Sequence, residues 1–149
     1  MNQAALKAFD QRATDCAPES SCNSNVVLPF VQPDNGITAE IVRGTCELRR
    51  KRDDAFAGKL FGDPTWDMLL QLYAAHLDSL RMSIGRLTRL CGVPATTVLR
   101  RLAMLEDRNL VTRTNDPFDA RRVYVALAPA GVEAMESCFI ASGRRAAFL

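Results

Sequence analysis

Two short stretches with apolar residues at helical spacing meet at a three-residue break, Gly92-Val93-Pro94, and that break restricts the fold more than any other part of the chain. Before it, Ser83 is placed to cap a helix whose buried face is Ile84, Leu87, Leu90 and Cys91. After it, a second helix starts near Ala95, with Val98, Leu102 and Leu105 spaced to face a core. Two short helices joined by a tight turn containing Gly describe a helix-turn-helix. With Val98 as origin and about 100° per residue, Thr96, Arg100 and Ala103 point away from that core. Thr97 and Met104 lie at the edge of the outer face, and Arg101 flanks the core stripe on the same side. The acids of this helix, Glu106 and Asp107, come only at its far end, where they do not oppose a phosphate at its start.

The segment beyond the second helix extends the motif. Asn109 stands where a left-handed residue would end the helix, a position Asn tolerates next best after Gly. Leu110-Val111-Thr112-Arg113 reads as a strand, and Val123-Tyr124-Val125-Ala126-Leu127 alternates as its partner, with Val123, Val125 and Leu127 on one face. The loop Asp116-Pro117-Phe118-Asp119-Ala120-Arg121-Arg122 between them is too long for a minimal turn and carries two arginines. A helix-turn-helix followed by a hairpin with a basic tip is a winged helix, and Arg81-Met82-Ser83 would supply a third strand. The expected fold is therefore mainly α. It is a winged helix-turn-helix with a small three-stranded antiparallel sheet, flanked by N- and C-terminal helices for dimerisation.

The flanks divide accordingly. Residues 1–36 read as a tail, with a short helix over 2–13 and a Pro-interrupted apolar run over 26–31. Residues 37–60 read as the N-terminal helix, with Ile37, Ile41, Leu48, Ala55 and Phe56 near one stripe and Arg49-Arg50-Lys51-Arg52 before Asp53-Asp54 on its flank. Gly58 and Gly62-Asp63-Pro64 end it, and Asp63 can cap the next helix with Pro64 in its first turn. That helix offers Trp66, Leu69, Leu70, Tyr73, Leu77 and Leu80 to the core, with His76 as a boundary residue beside the stripe. The winged-helix domain spans 64–128, and residues 129–149 form the C-terminal helix.

Composition narrows the chemistry. The 149 residues suit one folded domain, and no apolar run is long enough for a bilayer, so no membrane partner is expected. The first residues lack a basic start followed by an apolar core, which points to the cytoplasm. Five scattered cysteines without a C-x-x-C pair, and one histidine, argue against a disulfide framework, a metal site or a cofactor. Cys91 and Cys138 suit buried structural positions. No G-x-G-x-x-G, G-x-x-x-x-G-K or G-x-S-x-G spacing occurs, and the carboxylates are scattered, so the chain is not expected to be an enzyme. The net charge of +2 is uneven: residues 81–122 hold nine arginines, no lysine and four acids, a local +5. Arg is the cation suited to bidentate contact with phosphate or guanine.

These residues resemble the DNA-binding core of MarR-type transcriptional regulators. The likeness runs over residues 64–131, through Leu90-Cys91-Gly92-Val93, Thr97-Val98, Leu105-Glu106, Leu110-Val111-Thr112-Arg113, Asp116-Pro117, Asp119-Ala120-Arg121-Arg122, Val125-Ala126-Leu127 and Gly131. Its most specific part is the Asp-x-Arg wing after L-V-x-R. The resemblance implies a homodimer on pseudo-palindromic double-stranded DNA, repression as the usual outcome, and a small-molecule effector of unknown identity. It implies a recognition helix over 95–108 in the major groove and a wing over 114–122 at the minor groove. By position, Thr96, Thr97 and Arg100 would be groove residues, with Arg101 beside them. Arg121 would be the wing residue, oriented by Asp119, while Arg86, Arg89, Arg113 and Arg122 would meet phosphates. Taken singly, the helix face and the hairpin also suit an ordinary solvated surface. The alternative from another class is a winged-helix docking module whose basic face binds an acidic protein partner.

Overall fold

The computed structural model describes residues 36–56 and 61–143. The expected tail elements over 2–13 and 26–31, Cys16, Cys22 and the helix stop at Gly58 lie outside the described residues. The elements run α1 (Ala39–Ala55), α2 (Pro64–Leu77), β1 (Met82–Ser83), α3 (Ile84–Cys91), α4 (Ala95–Glu106), β2 (Val111–Asn115), β3 (Val123–Leu127) and α5 (Pro129–Ala141).

Helix α2 is the centre. Asp63 accepts from the N–H groups of Thr65 and Trp66 at 3.1 and 3.2 Å, and Pro64 opens the helix as expected. Met68, Leu70, Leu72, Tyr73, Ala74, Ala75 and Leu77 are buried, so the helix is covered on nearly every side. It ends earlier than the apolar spacing suggests. Ser79 takes a left-handed φ of 55°, which turns the chain outward, and Leu80 is half-exposed instead of belonging to the core.

Helix α1 corrects a second expectation. Its buried side is Ala39, Val42, Thr45, Cys46 and Arg49, packed mainly on α2. Of the stripe read from the sequence, Ile37 is buried and Ile41 partly so, but Leu48, Ala55 and Phe56 face outward. The cause is polar. Arg49 is only 8% exposed because its Nε donates to Asp67 of α2 at 2.7 Å, and this pair fixes which side of α1 turns inward.

The helix pair α3–α4 forms as its local signals dictate. The Ser83 hydroxyl accepts the Arg86 N–H, and Gly92, at φ 63°, ends α3 in the left-handed region that Gly adopts without strain. Val98, Leu102 and Leu105 of α4 are buried and Leu87 of α3 is fully enclosed. Asn109, at φ 56°, then reverses the chain into β2.

The sheet order is β1-β3-β2, antiparallel throughout. Met82 pairs with Val125, and the β2–β3 ladder runs from Val111–Leu127 to Asn115–Val123. Met82, Val111, Val125 and Leu127 close the core. Helix α5 docks through Gly131, where an added Cβ would overlap the Leu110 carbonyl. This architecture is a winged helix-turn-helix, mainly α with a small three-stranded antiparallel sheet.

Candidate nucleic-acid interface

Helix α4 packs on the core by one side only. Thr96 and Arg100 are exposed, Leu99 is 44% exposed, and Thr97, Arg101, Ala103 and Met104 are half-buried. No side chain caps its start; the Pro94 carbonyl instead accepts the Thr97 and Val98 N–H groups at 2.9 and 3.2 Å. The outer face is open to solvent at Thr96, Leu99 and Arg100 and partly covered at Ala103 and Met104. Arg101 differs from Arg100: its Nε is buried without a hydrogen-bond partner in the structure, while Arg100 stands in solvent.

The wing is a braced loop. The Asp116 carboxylate accepts the Phe118 N–H at 2.9 Å, and the Asp119 carboxylate accepts the Arg121 N–H at 3.0 Å. The Arg122 N–H donates to the Asp119 carbonyl and the Asp116 N–H to the Arg122 carbonyl, both at 2.9 Å. The Arg122 guanidinium lies 4.0 Å from each of the two carboxylates. These bonds hold the Asp116 carboxyl below its usual range, first through the Phe118 N–H and then through Tyr124, Arg122 and Arg81. The outcome at the tip is asymmetric. Arg122 is drawn back over the loop, and Arg121, whose backbone is pinned, projects without an ion pair among the described residues.

Other predicted positions separate in the same way. Arg113 is bound by Glu106, donating from Nε at 2.7 Å, which pushes the Glu106 carboxyl down. Arg86 is exposed on α3. Arg89 lines a cavity of about 670 Å³ with Cys46, Arg49, Asp67 and Cys91. It therefore borders α1 and α2 as well as solvent. Burial pushes the Cys46 thiol up to about 11 and the Cys91 thiol up to about 12. Two residues the spacing did not single out complete the wing's base. Arg81 lies over the Tyr124 ring at 3.8 Å, tying the edge strand β1 to β3 beneath the loop. An aromatic paired across from the strand that precedes a helix-turn-helix was the available signal.

Among the described residues no helix is long and apolar enough to cross a membrane, and no cluster of His, Cys, Asp and Glu could hold a metal ion. No family model matches the chain, and no curated protein matches it. Solved structures do resemble it in part. A mutant of MepR from a multidrug-resistant S. aureus clinical isolate is 23% identical, with a TM-score of 0.48 over 64% of this chain and 67% of that one. A mutant of E. coli MarR complexed with operator DNA is 19% identical, with a TM-score of 0.49 over 70% and 71%. A probable transcriptional regulator from Pseudomonas aeruginosa is 27% identical, with a TM-score of 0.46 over 68% and 74%.

Proposed function

We propose that the chain is a dimeric, sequence-specific regulator of transcription that binds double-stranded DNA, acting as a repressor. The observation that carries this reading is the exposure of Thr96, Leu99 and Arg100 on α4, together with a braced hairpin whose Arg121 has no acid partner among the described residues. In this reading α4 enters the major groove, where Thr96, Thr97 and Arg100 select bases and the apolar Leu99 suits a thymine methyl. Arg121 reads the width of the minor groove, and Asp119 sets its position. Arg86 and Arg122 flank these contacts on the phosphate side, with Arg101 beside the groove residues on α4. Arg113 contributes less, because its charge is already balanced by Glu106.

In this reading the dimer forms through α1 and α5, which flank the winged helix-turn-helix. Leu48 on α1, Phe56 at its C-terminal cap and Ile140 on α5 are 40–57% exposed, which suits a partner's apolar surface. Two recognition helices would lie about 34–36 Å apart to meet successive major grooves. The cavity between α1, α2 and α3 has the volume of a small-molecule site and is the place for an effector.

The test is selection of duplexes from a randomised pool by the purified chain, at two salt concentrations and with competitor DNA. Enrichment of a pseudo-palindromic sequence, with retention falling steeply at the higher salt, is expected. Retention no better than background at either salt overturns the reading and leaves an acidic protein as the partner for the basic face.

A further inference from the structure

The apex of the wing carries a side chain that a solvated hairpin does not explain. Phe118 is 97% exposed, whereas the other large exposed hydrophobics of the described residues are 40–57% exposed. Phe56 and Phe61 lie edge to face at 5.4 Å, with Arg52 over the second ring. Phe118 has no comparable cover, and water meets its whole ring. Its backbone is nonetheless fixed: Pro117 precedes it, and its own N–H is held by Asp116. Three residues away, Arg121 extends from the same loop without an ion pair among the described residues, because Asp116 and Asp119 are both faced by Arg122.

We propose that Phe118 is a minor-groove reading residue, inserting its ring at the groove floor while Arg121 occupies the narrow, electronegative stretch beside it. The occupant is argued from charge and shape. A bare aromatic on the same loop as an unpaired guanidinium fits a partner that is anionic along its rim and offers stacked planar faces within, which describes the sugar-walled minor groove and its base steps. A planar ring that enters there partly parts a base step. It should therefore favour sites where that step is a flexible pyrimidine–purine step, and specificity would arise at a position no hydrogen bond reads. A braced loop suits this task, since a wedge on a slack tip would lose its contact to motion of the loop. The inference rests on the DNA-binding reading and adds a determinant that α4 does not contain.

The experiment uses the full chain and the duplex it selects from the randomised pool, with 2-aminopurine placed in turn at each step outside the α4 half-sites. Wild type should raise the fluorescence at one such step, as the ring unstacks it. Phe118→Ala should abolish that rise, weaken binding by about tenfold and flatten the preference for a pyrimidine–purine step, with unchanged thermal unfolding. Phe118→Leu, an apolar wedge without the ring, should retain part of the rise. Equal affinity, fluorescence and step preference for wild type and Phe118→Ala would overturn the proposal while leaving DNA binding intact. If wild type selects no duplex, the proposal falls together with the reading beneath it. Loss of binding by wild type to anionic vesicles on Phe118→Ala, with no change on DNA, would assign the tip to a membrane surface and equally refute it.

Discussion

Helix α1 and helix α4 are both rich in arginine, yet they use it in opposite ways. On α1, Arg43 pairs with Asp78, Arg49 with Asp67 and Arg52 with Asp53, and Arg50 donates to the Leu90 carbonyl at 3.1 Å. On α4, neither Arg100 nor Arg101 has an acid partner among the described residues, and the same holds for Arg121 of the wing. The lesson is that a count of positive charge does not locate a binding face. Charges already balanced inside the fold stabilise it and have little left for a partner, while unbalanced ones wait for an external anion. The run Arg49–Arg52 is the denser of the two in sequence and the less available in space.

The sharpest way to break this contrast is to remove both kinds of arginine and ask what each costs. Arg100→Ala with Arg121→Ala should lower affinity for the selected duplex about a hundredfold and shift unfolding free energy by no more than about 0.5 kcal/mol, measured by fluorescence anisotropy and urea denaturation. Arg49→Ala should do the reverse. It leaves Asp67 facing a helix interface, and stability should fall by about 2 kcal/mol, less than for a fully enclosed pair because Asp67 is 32% exposed. DNA affinity of the folded fraction should not move.

A smaller effect tests the body alone. Unfolded, Cys46 and Cys91 ionise near their ordinary value of 9.0; folded, burial delays this to about 11 and about 12. The folded state therefore holds more protons between those limits. The stability tied to these thiols is complete below pH 9 and declines as pH rises from there towards 11–12. Urea midpoints at about pH 8, 9 and 10 should fall less steeply for the Cys46→Ala/Cys91→Ala protein than for wild type; parallel slopes would contradict the burial account. The smallest effect lies at the boundary between the two regimes. Glu106→Gln releases Arg113 from its partner, and affinity should rise about threefold with a salt slope steeper by about one. No change would mean that Arg113 is turned away from the phosphates.

Local chemistry explains how much of this is legible in the chain itself. The helix pair and the wing rest on signals within a few residues of where they act: the Ser83 cap, the left-handed Gly92 and Asn109, and the alternation of Val123, Val125 and Leu127. The face of α1 does not. Its apolar residues Leu48 and Phe56 point outward, and the inward position goes to Arg49 because of a carboxylate eighteen residues away. Leu80 departs from the expected core stripe because Ser79 leaves the helical path, a conformation its side chain does not announce. At the interface, Thr96 and Arg100 stand outward on α4, where the helical periodicity puts them. The pairing of Arg113 with Glu106 and the stacking of Arg81 on Tyr124 depend on chain reversals whose geometry no spacing rule supplies.

The most direct test of the central claim is the salt dependence of binding to the selected duplex, compared between two charge-removed proteins. One lacks the free arginines, through Arg100→Ala and Arg121→Ala; the other lacks paired ones, through Arg43→Ala and Arg52→Ala. Log affinity should fall linearly with log salt, by about 0.9 for each phosphate neutralised. The slope should become shallower only in the first protein. A slope that flattens in the second protein and stays at the wild-type value in the first would contradict the account.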